Sequence, residues 1–183
     1  MTQKLEGKIA LVTGGSRGIG FACAMKLAEK GAKVFLAASN PERLQQTSET
    51  IRTKTSMESG FHAADLRNLE GCRQTADALI KHFNRCDILI NSAGATKGGI
   101  FPGQPDEEMV DGFALKFHSA VRLSRMLWPE LKKNRGCVIN IVGGFSRTPS
   151  NDFMVGGAVN AALGNFSKAL ANQGLKDDVN VNW

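Results

Sequence analysis

The chain contains no tyrosine, although it carries ten Phe and two Trp. Any mechanism that uses a phenol as proton donor or nucleophile is therefore excluded before a motif is read. Proline is scarce, at five residues, and no Pro-rich, collagen-like or low-complexity tract interrupts the chain. The four cysteines, Cys23, Cys72, Cys86 and Cys137, stand far apart, with no C-x-x-C pair and no His at metal-ligand spacing. That pattern fits reduced thiols in a cytoplasmic protein and gives no metal site. Long hydrophobic runs are missing too. The N-terminal apolar run covers only Ile9 to Val12, too short for a signal peptide, and nothing approaches the ~18 apolar residues of a membrane helix. What remains is 183 residues, 42% hydrophobic and 22% charged, enough to bury a core and expected to form one domain.

The net charge of +6 comes from 23 Lys and Arg against 17 Asp and Glu, and the basic residues are scattered. The densest patch, Lys132, Lys133 and Arg135, falls at a helix end, where cations favour the helix dipole. No aromatic interleaving accompanies the charge, so no nucleic-acid partner is expected. A modest positive excess suits an anionic cofactor or substrate.

Short apolar runs alternate with helical patterns. Lys8 to Thr13 reads as a buried strand, followed by a helix from about Gly18 to Lys30 that Gly31 ends. Lys33 to Ala38 is a second strand, Pro41 opens a helix, and Gly60 to Ala64 is a weaker third strand. A helix spans about Leu69 to Phe83, Asp87 to Asn91 is a fourth strand, and 95–106 is loop. The spacing then predicts a long helix over about Glu107 to Lys133 and a fifth strand over Cys137 to Val142. A helix over Ala158 to Asn172 and a sixth strand beginning at Val179 complete the pattern. Such alternation implies an α/β fold, one domain with a parallel sheet covered by helices on both faces and right-handed crossovers.

The first turn, TGGSRGIG from Thr13 to Gly20, follows a strand and opens a helix. Gly14 permits a tight turn, Gly18 lets backbone approach a phosphate, and Gly20 lets the helix pack on the strand. The helix N-terminus presents free N–H groups and a positive dipole to a pyrophosphate. Ser16, Arg17 and Ile19 complete the expected cofactor turn. An NAD site places Asp or Glu at the end of the second strand; here Ala38, Ser39 and Asn40 stand there instead. With Arg17 able to meet a 2′-phosphate, the pattern favours NADP over NAD, with Ser39 beside it.

Three features, TGGSRGIG after the first strand, Asp65-Leu66 after the third and NSAG (Asn91 to Gly94) after the fourth, resemble the short-chain dehydrogenase/reductase family. The resemblance runs from about Leu5 to Trp183. It implies a Rossmann-type, doubly wound sheet in strand order 3-2-1-4-5-6 with a nicotinamide dinucleotide laid over the carboxyl ends of the strands. The same resemblance implies an oxidoreductase acting on a small carbonyl or alcohol, Asp65 and Leu66 bordering the adenine, and Asn91, Ala93 and Gly94 lining the ribose and the floor. It also implies a homodimer or homotetramer through the two long helices, where Val110, Phe113, Leu115, Phe117, Leu123 and Leu127 serve either as interface or as core.

The chain departs from that family where protons move. Carbonyl reduction leaves an alkoxide that needs a proton donor and oxyanion stabilisation. The family uses Tyr-x-x-x-Lys, a Ser after the fifth strand and an Asn in the preceding helix. Here Gly156 falls at the Tyr position, Asn160 at the Lys position, Gly143 at the Ser position and Lys116 at the Asn position. Lys116 is the one titratable group among the four. It serves as substitute acid, holds an anionic substrate group, or pairs with an acid or solvent. Asn160 can hydrogen-bond a ribose, Ser146 and Ser150 lie in the neighbouring loop, and His118 faces elsewhere. Two functions remain open: an NADP-dependent oxidoreductase with a non-standard proton donor, and a catalytically silent NAD(P)-binding protein that senses or interacts. Family members also continue past the sixth strand, so 1–183 is expected to be a C-terminally truncated NAD(P)-binding domain.

Overall fold

A computed structural model describes residues 5–183. Six parallel strands form one sheet in the order β3-β2-β1-β4-β5-β6. They are β1 Ile9–Thr13, β2 Lys33–Ala38, β3 Ser59–Ala63, β4 Ile88–Asn91, β5 Cys137–Asn140 and β6 Asn180–Asn182. The expected doubly wound order is the one found. Helices α1 Gly18–Glu29, α2 Pro41–Thr55 and α3 Leu69–Phe83 follow the first three strands, and α6 Met154–Asp177 precedes β6.

All five β1 residues are buried because helices cover both faces of the sheet. Leu11 points to one side with Leu89, Leu123, Leu127 and Val138, while Ala10 and Val12 point to the other with Leu36, Leu44, Ile51 and Ile90. Leu123 and Leu127 are core residues, 0% and 1% exposed, which removes them from any interface. Each such leucine contributes about 1.5–3 kcal/mol by burial.

The capping residues separate α1 from its two successors. Asn40 accepts from the Arg43 N–H at 2.7 Å and Asn68 from the Gly71 N–H at 2.7 Å, and α2 and α3 carry Glu42 and Glu70 in their first turns. Helix α1 has neither a capping side chain nor a first-turn acid. Its N-terminal donors and positive dipole end are left for something else.

The second half differs in detail from the sequence reading. The long helix is divided: α4 Asp106–Gly112 passes through a π-helical segment, Phe113–His118, into α5 Ser119–Lys133. Strand β5 stops at Asn140 rather than Val142, and α6 begins at Met154 rather than Ala158 and ends at Asp177 rather than Asn172. Gly156 and Gly157 mask the helix start because glycine has low helix propensity. Packing of both against Phe153 and Phe145 overrides that propensity.

Beneath the carboxyl edge of β4 and β5 runs a buried ladder of neutral side chains. Asn91 Nδ2 donates to Asn140 Oδ1 at 2.8 Å and to Ser124 Oγ at 3.4 Å, and Asn140 Nδ2 donates to Ser167 Oγ at 2.8 Å.

The opposite edge is tied by Asp87, whose side chain is 1% exposed. Its carboxylate accepts from Lys8 Nζ at 2.9 Å, the Ile9 N–H at 2.9 Å, and Arg85 Nε and Nη2 at 2.7 and 2.8 Å. Burial raises the Asp87 pKa, but the bonds from Arg85, Ile9 and Lys8 outweigh it and hold the carboxyl below its ordinary value. A depressed carboxyl stabilises the fold above its unfolded pKa of about 3.9 and loses that contribution as pH falls through the folded value. Asp87→Ala is expected to cost roughly 1–3 kcal/mol in urea unfolding at pH 7, with the gap to the parent closing in acid. An equal gap at both pH values would contradict this account.

Candidate active site

The switch in strand order lies between β1 and β4, and there the chain opens a cleft of 460 Å³ over the carboxyl edge of the sheet. This is where open α/β sheets bind ligands. Gly14 stands at φ +64, and a Cβ on it would lie 3.0 Å from the Ala93 nitrogen, so the turn after β1 and the segment after β4 meet with no room for a side chain. Thr13 reinforces the junction: its Oγ1 accepts from the N–H groups of Ser92 and Ala93, both at 3.0 Å. Gly18, at φ +57, faces open space in front of the uncapped end of α1. A Cβ on Gly20 would run into the Gly14 carbonyl, which fixes the close packing of helix on turn. The uncapped helix end and the open backbone at Gly18 fit an anionic dinucleotide phosphate.

Most of the expected cofactor residues converge on this cleft. Gly14, Ser16, Arg17, Gly18, Ile19, Gly20, Ser39, Asp65, Leu66, Ala93, Gly94 and Lys116 line it. Asn91 does not. It is 4% exposed and lies below the wall, its amide N–H groups used by the ladder described above. Six lining residues are absent from the site read in the sequence: Ala64, Arg67, Ser92, Ala95, Leu115 and Ile141. Arg67 directly follows Asp65-Leu66 at a strand's carboxyl end, and that adjacency was the available signal.

Gly143, Gly156 and Asn160 are not among the lining residues. Asn160 Oδ1 accepts from the Gly143 N–H at 2.6 Å, and its Nδ2 donates to the Gly156 carbonyl at 2.6 Å. The amide, 4% exposed, therefore ties the turn after β5 to the first turns of α6, and the ribose bond expected of it is corrected to this structural one. At Gly156 a Cβ would fall well inside contact distance of the Phe153 ring. That ring also sits near Gly98 and packs on Phe145 with centroids 5.4 Å apart. Ser146 and Ser150 line a separate cavity with Phe145, Phe153 and Met154. His118 is exposed.

Lys116 sits in the π-helical segment, and its methylenes lie along Gly94; a Cβ at 94 would be 3.1 Å from its Cδ and 3.2 Å from its Nζ. Among the described residues nothing pairs with its ammonium, and burial lowers its pKa. A half-buried amine without a counter-ion, facing a cleft, can release a proton or hold an anion.

Comparison with known proteins agrees with this geometry. Residues 8–183 match the family model described as short chain dehydrogenase. The chain is 36% identical over 180 residues to a 3-oxoacyl-(acyl-carrier-protein) reductase of Vibrio cholerae, covering 97% of this chain and 72% of that protein. It is 32% identical to 11-beta-hydroxysteroid dehydrogenase-like 2 of Arabidopsis thaliana, where 92% of this chain spans 55% of the relative's length. Among solved structures it superposes on L-sorbose reductase of Gluconobacter frateurii, complexed with NADPH and L-sorbose, at a TM-score of 0.95 and 31% identity. That match covers 100% of this chain and 70% of the other. Among the described residues no helix is long and apolar enough to cross a membrane.

Proposed function

The chain belongs to the short-chain dehydrogenase family, and we propose that it is an NADP-dependent oxidoreductase of small carbonyl or alcohol substrates in which Lys116 is the proton donor. One observation carries the reading: the Lys116 amine stands in the cofactor cleft with its pKa lowered and no counter-ion among the described residues. The glycine turn and the uncapped α1 would hold the pyrophosphate, Asp65 and Leu66 the adenine, and Ala93 and Gly94 the ribose. The nicotinamide supplies or accepts the hydride. In the reducing direction the Lys116 ammonium gives its proton to the carbonyl oxygen as negative charge develops there, is left as a neutral amine, and is reprotonated from water. In the oxidising direction the neutral amine takes the alcohol proton.

NADP is preferred because no carboxylate stands at Ala38 or Ser39 and the exposed Arg17 lies on the same rim. Titration by nicotinamide fluorescence tests this: NADPH saturates below NADH, and Arg17→Ser weakens NADPH about tenfold, the loss of one charge-assisted bond to phosphate, while NADH is unchanged. No saturable binding of either nucleotide would remove the reading. The second reading, a silent nucleotide-binding protein, draws on the Phe153 ring lying where a residue at 156 would project. NADPH oxidation across a panel of aldehydes and ketones separates the two, since a silent protein binds without turnover. A second copy seated on the groove between α5 and α6, lined by Trp128, Phe166 and Leu170, would make the homo-oligomer.

A further inference from the structure

Arg67 is fastened more firmly than a side chain on a cleft rim ordinarily is. Its Nε and Nη2 donate to the carboxylate of Asp111, the latter at 3.3 Å, and its Nη1 donates to Asp65 Oδ1 at 3.2 Å. The Arg67 N–H donates to the same Asp65 oxygen at 3.0 Å, and Arg122 Nη1, on α5, donates to the Arg67 carbonyl at 2.8 Å. Backbone and guanidinium are thus held from the loop after β3, from α4 and from α5. An isolated surface ion pair gains little and costs side-chain entropy; here one entropy cost serves two carboxylates.

The bonds run in the plane of the guanidinium and occupy its edges. Its two faces carry none, and the residue lines the cleft beside Asp65 and Leu66. A fixed, planar, delocalised cation presents a face on which a purine stacks, and arginine does this where lysine does not. Asp65 Oδ2 takes no hydrogen bond among the described residues, which leaves an acceptor beside that face for a ring amino group. A flat face next to a free acceptor suits an aminopurine.

We infer that Arg67, braced by Asp65 and Asp111, is a binding residue for the adenine of the dinucleotide, acting through the face of its guanidinium. The inference rests on the cofactor reading and adds to it a side chain 44 residues from its brace. The brace also links the adenine end to α4, which leads into the segment that carries Lys116.

Two probes test it by nicotinamide fluorescence: NADPH, and reduced nicotinamide mononucleotide, which lacks the adenosine. Arg67→Met is expected to weaken NADPH roughly tenfold, the worth of one stacked base, and to leave the mononucleotide unchanged. Arg67→Lys keeps the charge without the plane and is expected to resemble Arg67→Met. Asp111→Asn keeps Arg67 but loosens its brace, and should weaken NADPH by a smaller factor; it carries the test if Arg67→Met does not fold. Unchanged NADPH affinity in Arg67→Met, full rescue by lysine, or a parallel loss of both probes would overturn the inference. Failure of the parent protein to bind NADPH would instead overturn the cofactor reading beneath it.

Discussion

Lys116→Met is expected to slow hydride transfer to a carbonyl substrate by ~10²–10⁴-fold, the usual contribution of general acid catalysis. NADPH affinity should stay close to that of the parent, because methionine preserves the apolar stem that lies along Gly94. Single-turnover oxidation of bound NADPH measures the step directly. Lys116→Arg is no rescue, since a guanidinium keeps its proton at working pH. The pH profile gives a second readout. The reducing direction needs the ammonium, so its rate is flat at low pH and falls as pH rises through the Lys116 pKa. Burial places that pKa below the ordinary lysine value. The oxidising direction needs the neutral amine and rises through the same pKa. Both limbs should vanish in Lys116→Met. Parent-level rates in that variant would remove Lys116 from the chemistry and leave the family assignment untouched.

Gly156→Ala should destabilise the protein by about 3 kcal/mol, at the upper end of the cost of overpacking. Helix propensity alone points the other way, since alanine in a helix interior is favoured over glycine by about 1 kcal/mol. The sign of the result therefore decides between propensity and packing. The new Cβ meets the Phe153 ring, which cannot swing away freely because Gly98, Phe145 and the backbone bridge between Gly99 and Phe153 confine it. In a Phe153→Ala background the same substitution should become nearly neutral. Thermal or urea unfolding of the double-mutant cycle measures the coupling. Additive effects would show that the ring yields, and that the wall is softer than its contacts indicate. The same clash means that a tyrosine introduced at 156 needs Phe153 removed first.

The sequence carried the cofactor half of the site because its demands are local. A turn that must bring backbone to a phosphate needs glycines at fixed offsets between a strand and a helix, and Gly14, Gly18 and Gly20 meet that need within one octapeptide. A parallel sheet followed from the alternation of buried runs and helices, and its strand order from the family resemblance. The rest depends on residues far apart in the chain. Asp111 braces Arg67 from 44 positions away, and Asn160 spends its amide on Gly143, 17 positions earlier. Neither spacing has a pattern to read. Asn91 was misplaced because its motif fixes where the segment lies but not which way the side chain turns; hydrogen bonding to Asn140 turns it inward. The start of α6 was hidden for a related reason, as tertiary contacts support a glycine pair that intrinsic preference would leave as loop.

The neutral ladder of Asn91, Asn140, Ser124 and Ser167 bears on how much change this architecture tolerates. Sliding β5 by one residue against β4 would turn Asn140 to the opposite face and strand several amide groups without partners in the core. The platform is thus held in place by uncharged groups that do not line the cleft. Lys116, which lines the cleft and takes no part in the ladder, can then be exchanged without removing any of these bonds. A change of charge at that one position therefore leaves the footing of the cleft as it was.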